Sequence, residues 1–129
     1  MRSPLAALAL LLAACSSAPP PSGAAARHQN LEVPITRFCA CGAWPTEGCP
    51  PYRLNDIEAL CFDVVYETWT DQVVDNTICM ERARLALDDC LFEGVDCLTC
   101  RDRWAAQTHE CPRIGERAQR ELDRCIDER

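Results

Sequence analysis

The sequence predicts a small all-α domain held together by disulfide bonds. Apolar residues in its second half recur every three or four positions, which is the period of an amphipathic helix, and strand-type alternation is absent. Eleven of the 129 residues are cysteines. A domain of about 100 residues buries little apolar surface, so covalent crosslinks contribute much of its stability. We therefore expect about four helices and an irregular cysteine-rich head, preceded by a signal peptide and a flexible tether.

The N-terminal residues have the composition of a secretory signal peptide. Arg2 supplies the positive charge, and an apolar run of ten residues extends from Leu5 to Ala14. A ten-residue helix is about 15 Å long, whereas the hydrocarbon core of a bilayer is about 30 Å thick. The run is too short to span a membrane, and we predict that residues 1–14 direct export.

The residues that close this run, Leu12-Ala13-Ala14-Cys15, resemble a bacterial lipobox. The resemblance implies that a signal peptidase cleaves between Ala14 and Cys15, and that the sulfur of Cys15 carries a diacylglycerol. Acyl chains on Cys15 would then attach the mature chain to a membrane. Because Ser16 rather than an aspartate follows, the resemblance further implies sorting to the outer membrane of a Gram-negative bacterium.

Two other readings of the N-terminus remain open. An ordinary signal peptidase could cleave after Ala24-Ala25-Ala26, although this site lies well beyond the apolar run and behind three prolines. Alternatively, Cys15 could be an unpaired core cysteine, although no amphipathic pattern surrounds it.

Residues 15–32 are predicted to form a disordered tether. The stretch Ser16–Asn30 is rich in serine, alanine and proline and has no apolar period. Such a segment buries too little surface to offset the entropy lost on ordering.

Residues 33–129 are predicted to form the folded domain, and they contain ten of the eleven cysteines. An even number of cysteines in an oxidising compartment favours as many as five disulfides. Each bridge would contribute about 2–4 kcal/mol.

The domain begins with an irregular head and continues with four helices. Residues 38–52 (FCACGAWPTEGCPPY) contain too many prolines and glycines for a regular element. Asn55 and Glu58 resemble a capping box at the start of a helix over about 56–70. Its apolar residues recur at helical spacing: Ile57, Leu60, Cys61, Val64, Val65 and Trp69.

Three further helices follow from apolar periodicity and breaker residues. The second covers about 75–93 and ends at Gly94, which suits a left-handed cap. The third covers about 99–110. Pro112 can open the fourth, whose apolar stripe is Ile114, Ala118, Leu122 and Ile126.

Cysteine spacing predicts how the second and third helices pair. Cys79 and Cys90 are eleven residues apart, as are Cys100 and Cys111, and eleven residues at about 100° each return to nearly the same face. An antiparallel hairpin would bring Cys90 to Cys100 and Cys79 to Cys111. The arrangement resembles the twin CX9C proteins with each arm one residue longer. That family is imported into mitochondria, so we transfer no function.

The other six cysteines can pair in many ways, and spacing does not choose among them. These are Cys39, Cys41, Cys49, Cys61, Cys97 and Cys125.

Two chemical functions of the cysteines compete with a purely structural role. Cys97 and Cys100 form a C-x-x-C at a helix start beside Arg101 and Arg103, where a thiol pKa is lowered as in thiol-disulfide oxidoreductases. The βαβ pattern of thioredoxin-like proteins is absent. In the head, Cys39, Cys41 and Cys49 could contribute to a zinc site, but oxidation competes with metal binding outside the cytoplasm. We predict no catalytic site, metal or cofactor, and we expect the domain to have a protein-interaction or envelope-structural role.

Charge and exposed aromatic residues give the only indications of a partner. The segment from Asn55 to Cys100 has eleven acidic residues and two arginines, so nucleic acid is a poor partner and a cationic protein surface a better one. The simplest expectation is a solvated acidic face. If the domain has a contact loop, we expect it in the head, at Phe38, Trp44 and Tyr52, and an inhibitor-like module is one form it could take. Trp69 and Trp104 are assigned to the core.

Overall fold

The computed structural model describes residues 22–127, and within that range every regular element is a helix. Helix α1 covers residues 23–40 and consists of an α-helical segment Gly23–Arg27, a π-helical segment His28–Glu32 and a second α-helical segment Val33–Ala40. A 3-10 turn, Thr46–Gly48, lies in the head. The all-α prediction is confirmed. The remaining helices are α2 (Asp56–Thr68), α3 (Thr70–Phe92), α4 (Cys97–His109) and α5 (Glu116–Asp127).

Helix α1 corrects the predicted tether. Residues 23–32 are expected from composition to be disordered, but they are helical and part of the folded domain. Ser22 caps the helix by accepting a hydrogen bond from Ala25 N, and Ala24 N donates to Asp63 Oδ1 in α2 at 2.9 Å. The alanine-rich sequence of this segment has no amphipathic period from which a helix could be predicted. The helix is stabilised by its packing against α2. The signal peptide, Cys15 and the rest of the tether lie outside the described residues.

The helix ends have the capping interactions that the sequence predicts. Asn55 accepts a hydrogen bond from Glu58 N at 2.9 Å, and Glu58 Oε1 accepts one from Asn55 N at 3.0 Å, which is a complete capping box. Gly94 follows α3 with φ of 80°, the left-handed conformation expected of a cap glycine. Pro112 does not open the last helix, which begins four residues later at Glu116.

The hydrophobic core has two parts. One cluster joins α1, α3 and α4 around Phe38, Leu87 and Trp104. The other joins α2, α3 and α5 around Phe62, Val65 and Leu122, with Trp69 packed against it. Most globular domains of this size have one contiguous core.

The face that α2 buries agrees with the predicted one only in part, since Val65, Cys61 and Trp69 belong to the core or pack against it. Phe62 and Val65 are buried, whereas Ile57, Leu60 and Val64 are 80%, 67% and 59% exposed. Apolar residues occur around most of this helix, so periodicity alone could not identify the buried side. The capping-box residue Glu58 is itself buried, which places the core on its side of the helix.

All ten cysteines of the domain form disulfides. Cys79 is bonded to Cys111 and Cys90 to Cys100, which are the two pairs expected from helical phase. The six cysteines left open by the sequence form three further bridges: Cys39–Cys49, Cys41–Cys97 and Cys61–Cys125.

Candidate functional site

The C-x-x-C at the start of α4 is divided between two bridges. Cys97 is bonded to Cys41 of the head, and Cys100 to Cys90 of α3. Cys100 is fully buried. The two sulfurs of the motif therefore act as attachment points for two different elements, and a disulfide between them would require both bridges to open.

The polar groups around this motif are used to fix α4. Asp96 is the N-cap and accepts hydrogen bonds from the amide and hydroxyl of Thr99 at 3.0 and 2.8 Å. Donation from the Thr99 backbone is the main reason why the pKa of Asp96 lies below its usual value. Arg101 donates to Ala43 O at 2.7 Å, which ties α4 to the head. A carboxylate at the cap also opposes formation of a thiolate beside it.

The cysteines of the head are bonded in pairs instead of converging on one point. Cys39 and Cys49 close a ten-residue loop, and Cys41 leaves that loop to reach Cys97. Within residues 22–127, no group of three or more histidine, cysteine, aspartate or glutamate side chains is arranged to hold a metal ion.

The predicted contact loop is corrected by the packing of its aromatic residues. Phe38 is fully buried in α1, and Trp44 stacks on it with ring centroids 6.0 Å apart. Trp104 of α4 contacts both rings. Only Tyr52, which is 40% exposed, presents a substantial surface. Phe38 is thus part of the core and Trp44 packs against it, and the Cys41–Cys97 bridge holds this segment against α4.

A buried polar network links α1, the end of the head and α2. Glu32 is 6% exposed, forms an ion pair with Arg27, and has its second carboxylate oxygen 2.9 Å from His28 Nδ1. Arg27 also donates to Tyr52 O at 2.9 Å, and Tyr52 Oη donates to the buried Glu58. The sequence contains no signal for this network, since its members are spread over residues that sequence analysis assigns to a tether, a loop and a helix.

An apolar cleft lies between the two parts of the core. It has a volume of about 230 Å³ and is open on one side. A dry cavity of about 150 Å³ is large enough for benzene, so this cleft could accept a small apolar group. Its apolar lining comes from α1, α2, α3, α5 and the segment before α5: Leu31, Phe62, Met80, Ile114, Leu122 and Ile126.

Tyr66 is the titratable group most affected by this environment. Burial raises the pKa of its phenol, and a hydrogen bond with Thr77 and the charge of Arg27 partly oppose that effect. Tyr66 and Thr77 both line the cleft, so their hydroxyl groups form a polar site in its wall.

The outer face of α3 carries a long stripe of exposed apolar residues. Val74, Ile78, Leu85 and Phe92 are all exposed, and Phe92 is 93% exposed. At about 100° per residue they fall within a sector of about 40°. The buried residues Ala83 and Leu87 lie outside that sector. The seven-residue spacing from Ile78 to Phe92 is visible in the sequence, but spacing alone does not tell an exposed stripe from a buried one.

Among the helices of residues 22–127, none is both long and apolar enough to cross a bilayer.

Comparisons of the chain with protein-family models, with curated proteins and with solved structures found no match. The class defined by the fold is thus a disulfide-bonded all-α domain, and its function has to be argued from its own residues.

Proposed function

We propose that this chain is an exported envelope lipoprotein, anchored through acyl chains on Cys15, whose helical domain acts by binding another protein. One observation carries the anchor: ten of the eleven cysteines form five bridges, and Cys15 alone is left for another role. Cys15 directly follows the lipobox-like Leu12-Ala13-Ala14. Ser16 in the next position favours the outer membrane as destination.

The packing of α1 supports cleavage before Cys15 over cleavage after Ala26. Cleavage after Ala26 would remove Ala24, which donates a hydrogen bond to Asp63, and Ala26, which is 3% exposed. It would also remove the Ser22 cap. Cleavage before Cys15 leaves the whole helix intact and places seven residues between the acylated cysteine and Gly23.

The short connection limits where the domain can be. A fully extended chain spans at most about 3.5 Å per residue, so residues 15–22 hold the domain within about 30 Å of the membrane. Two acyl chains or more make such an anchor stable, whereas one is marginal.

The pairing of the C-x-x-C cysteines argues against redox catalysis. Exchange through Cys97 and Cys100 would release the head from α4 and open the α3–α4 hairpin. Catalytic disulfides are exposed and labile, but Cys100 is fully buried.

The intact mass of the chain from its native membrane, alkylated with iodoacetamide but not reduced, tests the anchor and the redox alternative. We expect a chain that starts at Cys15, carries acyl groups and takes up no alkyl group. The variant Cys15→Ser should lose the lipid and leave the membrane fraction, whereas the matched variant Ser17→Ala should keep both. A chain that starts at Arg27 or lacks lipid would refute the anchor. Alkylation of Cys97 and Cys100 would favour the oxidoreductase.

A further inference from the structure

We propose that the outer face of α3 docks an amphipathic helix whose apolar side is bordered by basic residues. This inference rests on the proposed role of the domain in protein binding, and it names the surface and the chemistry of the partner. The outer face is defined by Val74, Ile78, Leu85 and Phe92.

The apolar part of this face has the dimensions of a helix-docking surface. The exposed fractions are 38% for Val74, 43% for Ile78, 49% for Leu85 and 93% for Phe92. At a rise of 1.5 Å per residue, the distance from residue 74 to 92 is about 27 Å. Ile78, Leu85 and Phe92 are each one heptad apart, which is the spacing that lets a second helix follow the first at a shallow angle. The most exposed residue is aromatic, a type that often anchors interfaces.

One border of this face carries uncompensated negative charge. Asp71, Asp75 and Asp89 lie about 60–100° from Val74 around the helix, with Arg82 as the basic residue among them. In the part of the chain that the structure describes, these three aspartates form no salt bridge. They are exposed and available to cations from a partner.

The opposite border is already neutralised within the domain. Asp88 pairs with Arg37 of α1 and with Arg84, and Glu81 pairs with Arg84. This difference between the two borders predicts how the docked helix is oriented. Its basic residues should lie on the side of Asp71, Asp75 and Asp89. Complementary charges of this kind set orientation and association rate and are screened by salt.

The same charges disfavour two other occupants. A second copy using this face would bring aspartates close to aspartates, with Arg82 as the matching cation on that border. Anionic lipid headgroups attract basic segments and would be repelled here. A basic amphipathic helix satisfies both the apolar stripe and its acidic border.

The test uses a synthetic peptide of three heptads with leucine at positions a and d and lysine at e and g. The matched peptide has glutamate in place of lysine. Both are titrated against the full mature chain in nanodiscs of zwitterionic lipid, with empty nanodiscs as the blank, and binding is followed by fluorescence anisotropy. A chain that proves to be unacylated is assayed in solution, so failure of the anchor does not affect the result.

We expect the lysine peptide to bind and the glutamate peptide to bind at least tenfold more weakly. Leu85→Asp should weaken binding by about tenfold or more, as for the centre of a hot spot. The matched variant Leu60→Asp, which changes an exposed leucine of α2, should alter binding less than twofold. Asp75→Asn with Asp89→Asn should weaken binding severalfold and reduce its salt dependence.

Several results would overturn the proposal. These are equal binding of the two peptides, no binding of either, equal losses for Leu85→Asp and Leu60→Asp, or self-association through this face. Circular dichroism checks that each variant is folded. If Leu85→Asp unfolds, the pair Asp75→Asn and Asp89→Asn decides the outcome, since both side chains are exposed and unpaired in the described chain.

Discussion

Removal of the Cys61–Cys125 bridge should destabilise the domain more than removal of a short-range bridge. This bridge links α2 to α5 across a sequence separation of 64 residues, and Cys79–Cys111 lies inside that loop and closes 32 of them. The effective loop is therefore about half as long. Chain entropy assigns about 4.3 kcal/mol to the full loop and about 3.7 kcal/mol to the shortened one. We expect Cys61→Ala with Cys125→Ala to lower the free energy of unfolding by about 3–4 kcal/mol.

The matched control is Cys39→Ala with Cys49→Ala. That bridge has a separation of ten residues, for which the same relation gives about 2.7 kcal/mol. Urea unfolding of both double variants, without reductant, is followed by circular dichroism and by tryptophan fluorescence. A loss below about 1 kcal/mol for the α2–α5 bridge, or one smaller than in the control, would refute loop closure as its role.

Three further predictions follow from the polar network, the α3 cap and the cleft. Arg27→Ala removes the arginine partner of the buried Glu32, so the free energy of unfolding in urea should fall by about 3 kcal/mol; a loss below about 1 kcal/mol would contradict the network. Gly94→Ala forces alanine to a φ of 80° and should cost about 1 kcal/mol by the same assay, while an unchanged midpoint would argue against the cap. Burial raises the pKa of Tyr66, so in a titration followed by ultraviolet absorbance its phenol should ionise above the ordinary tyrosine value near 10, and Tyr66→Phe should lower the amplitude of that late phase. Because the folded pKa is raised, the contribution of Tyr66 to the free energy of unfolding is present below the unfolded pKa near 10 and is lost as pH rises through the folded value. Tyr66→Phe should therefore reduce the alkaline loss of stability, and an unchanged late phase in this variant would refute the assignment.

The sequence predicts those parts of the structure that depend on apolar periodicity, on local capping residues and on the angular positions of cysteines around a helix. Four helices follow from apolar spacing and from residues such as Asn55 and Gly94, whose capping roles are local. The bridges of the α3–α4 hairpin follow from phase because all four cysteines lie on or at the ends of long helices. In the head, Cys39, Cys41 and Cys49 have no common period, so their partners depend on tertiary packing.

Other features depend on contacts that no local pattern records. Helix α1 begins in an alanine-rich stretch and is stabilised by α2, which sequence composition does not reveal. Phe38 is expected from the sequence in a contact loop, but it is the most deeply buried aromatic residue of the described chain because α1 extends to Ala40. On α2, both the buried Phe62 and the exposed Leu60 are apolar, so which face is buried depends on where the neighbouring helices lie.

The bridges overlap along the sequence, so a single cleavage of the backbone between Cys39 and Cys125 does not separate the chain into two pieces. Cys39–Cys49 overlaps Cys41–Cys97, which in turn overlaps Cys61–Cys125. One protease cleavage anywhere in this range therefore leaves both fragments covalently joined. For an anchored protein, the cut that would shed the whole domain has to fall before Cys39, and α1 already protects residues 23–38 of that stretch by folding them. If Cys15 carries the proposed anchor, a cleavage that releases the domain without unfolding α1 would have to fall within residues 16–22.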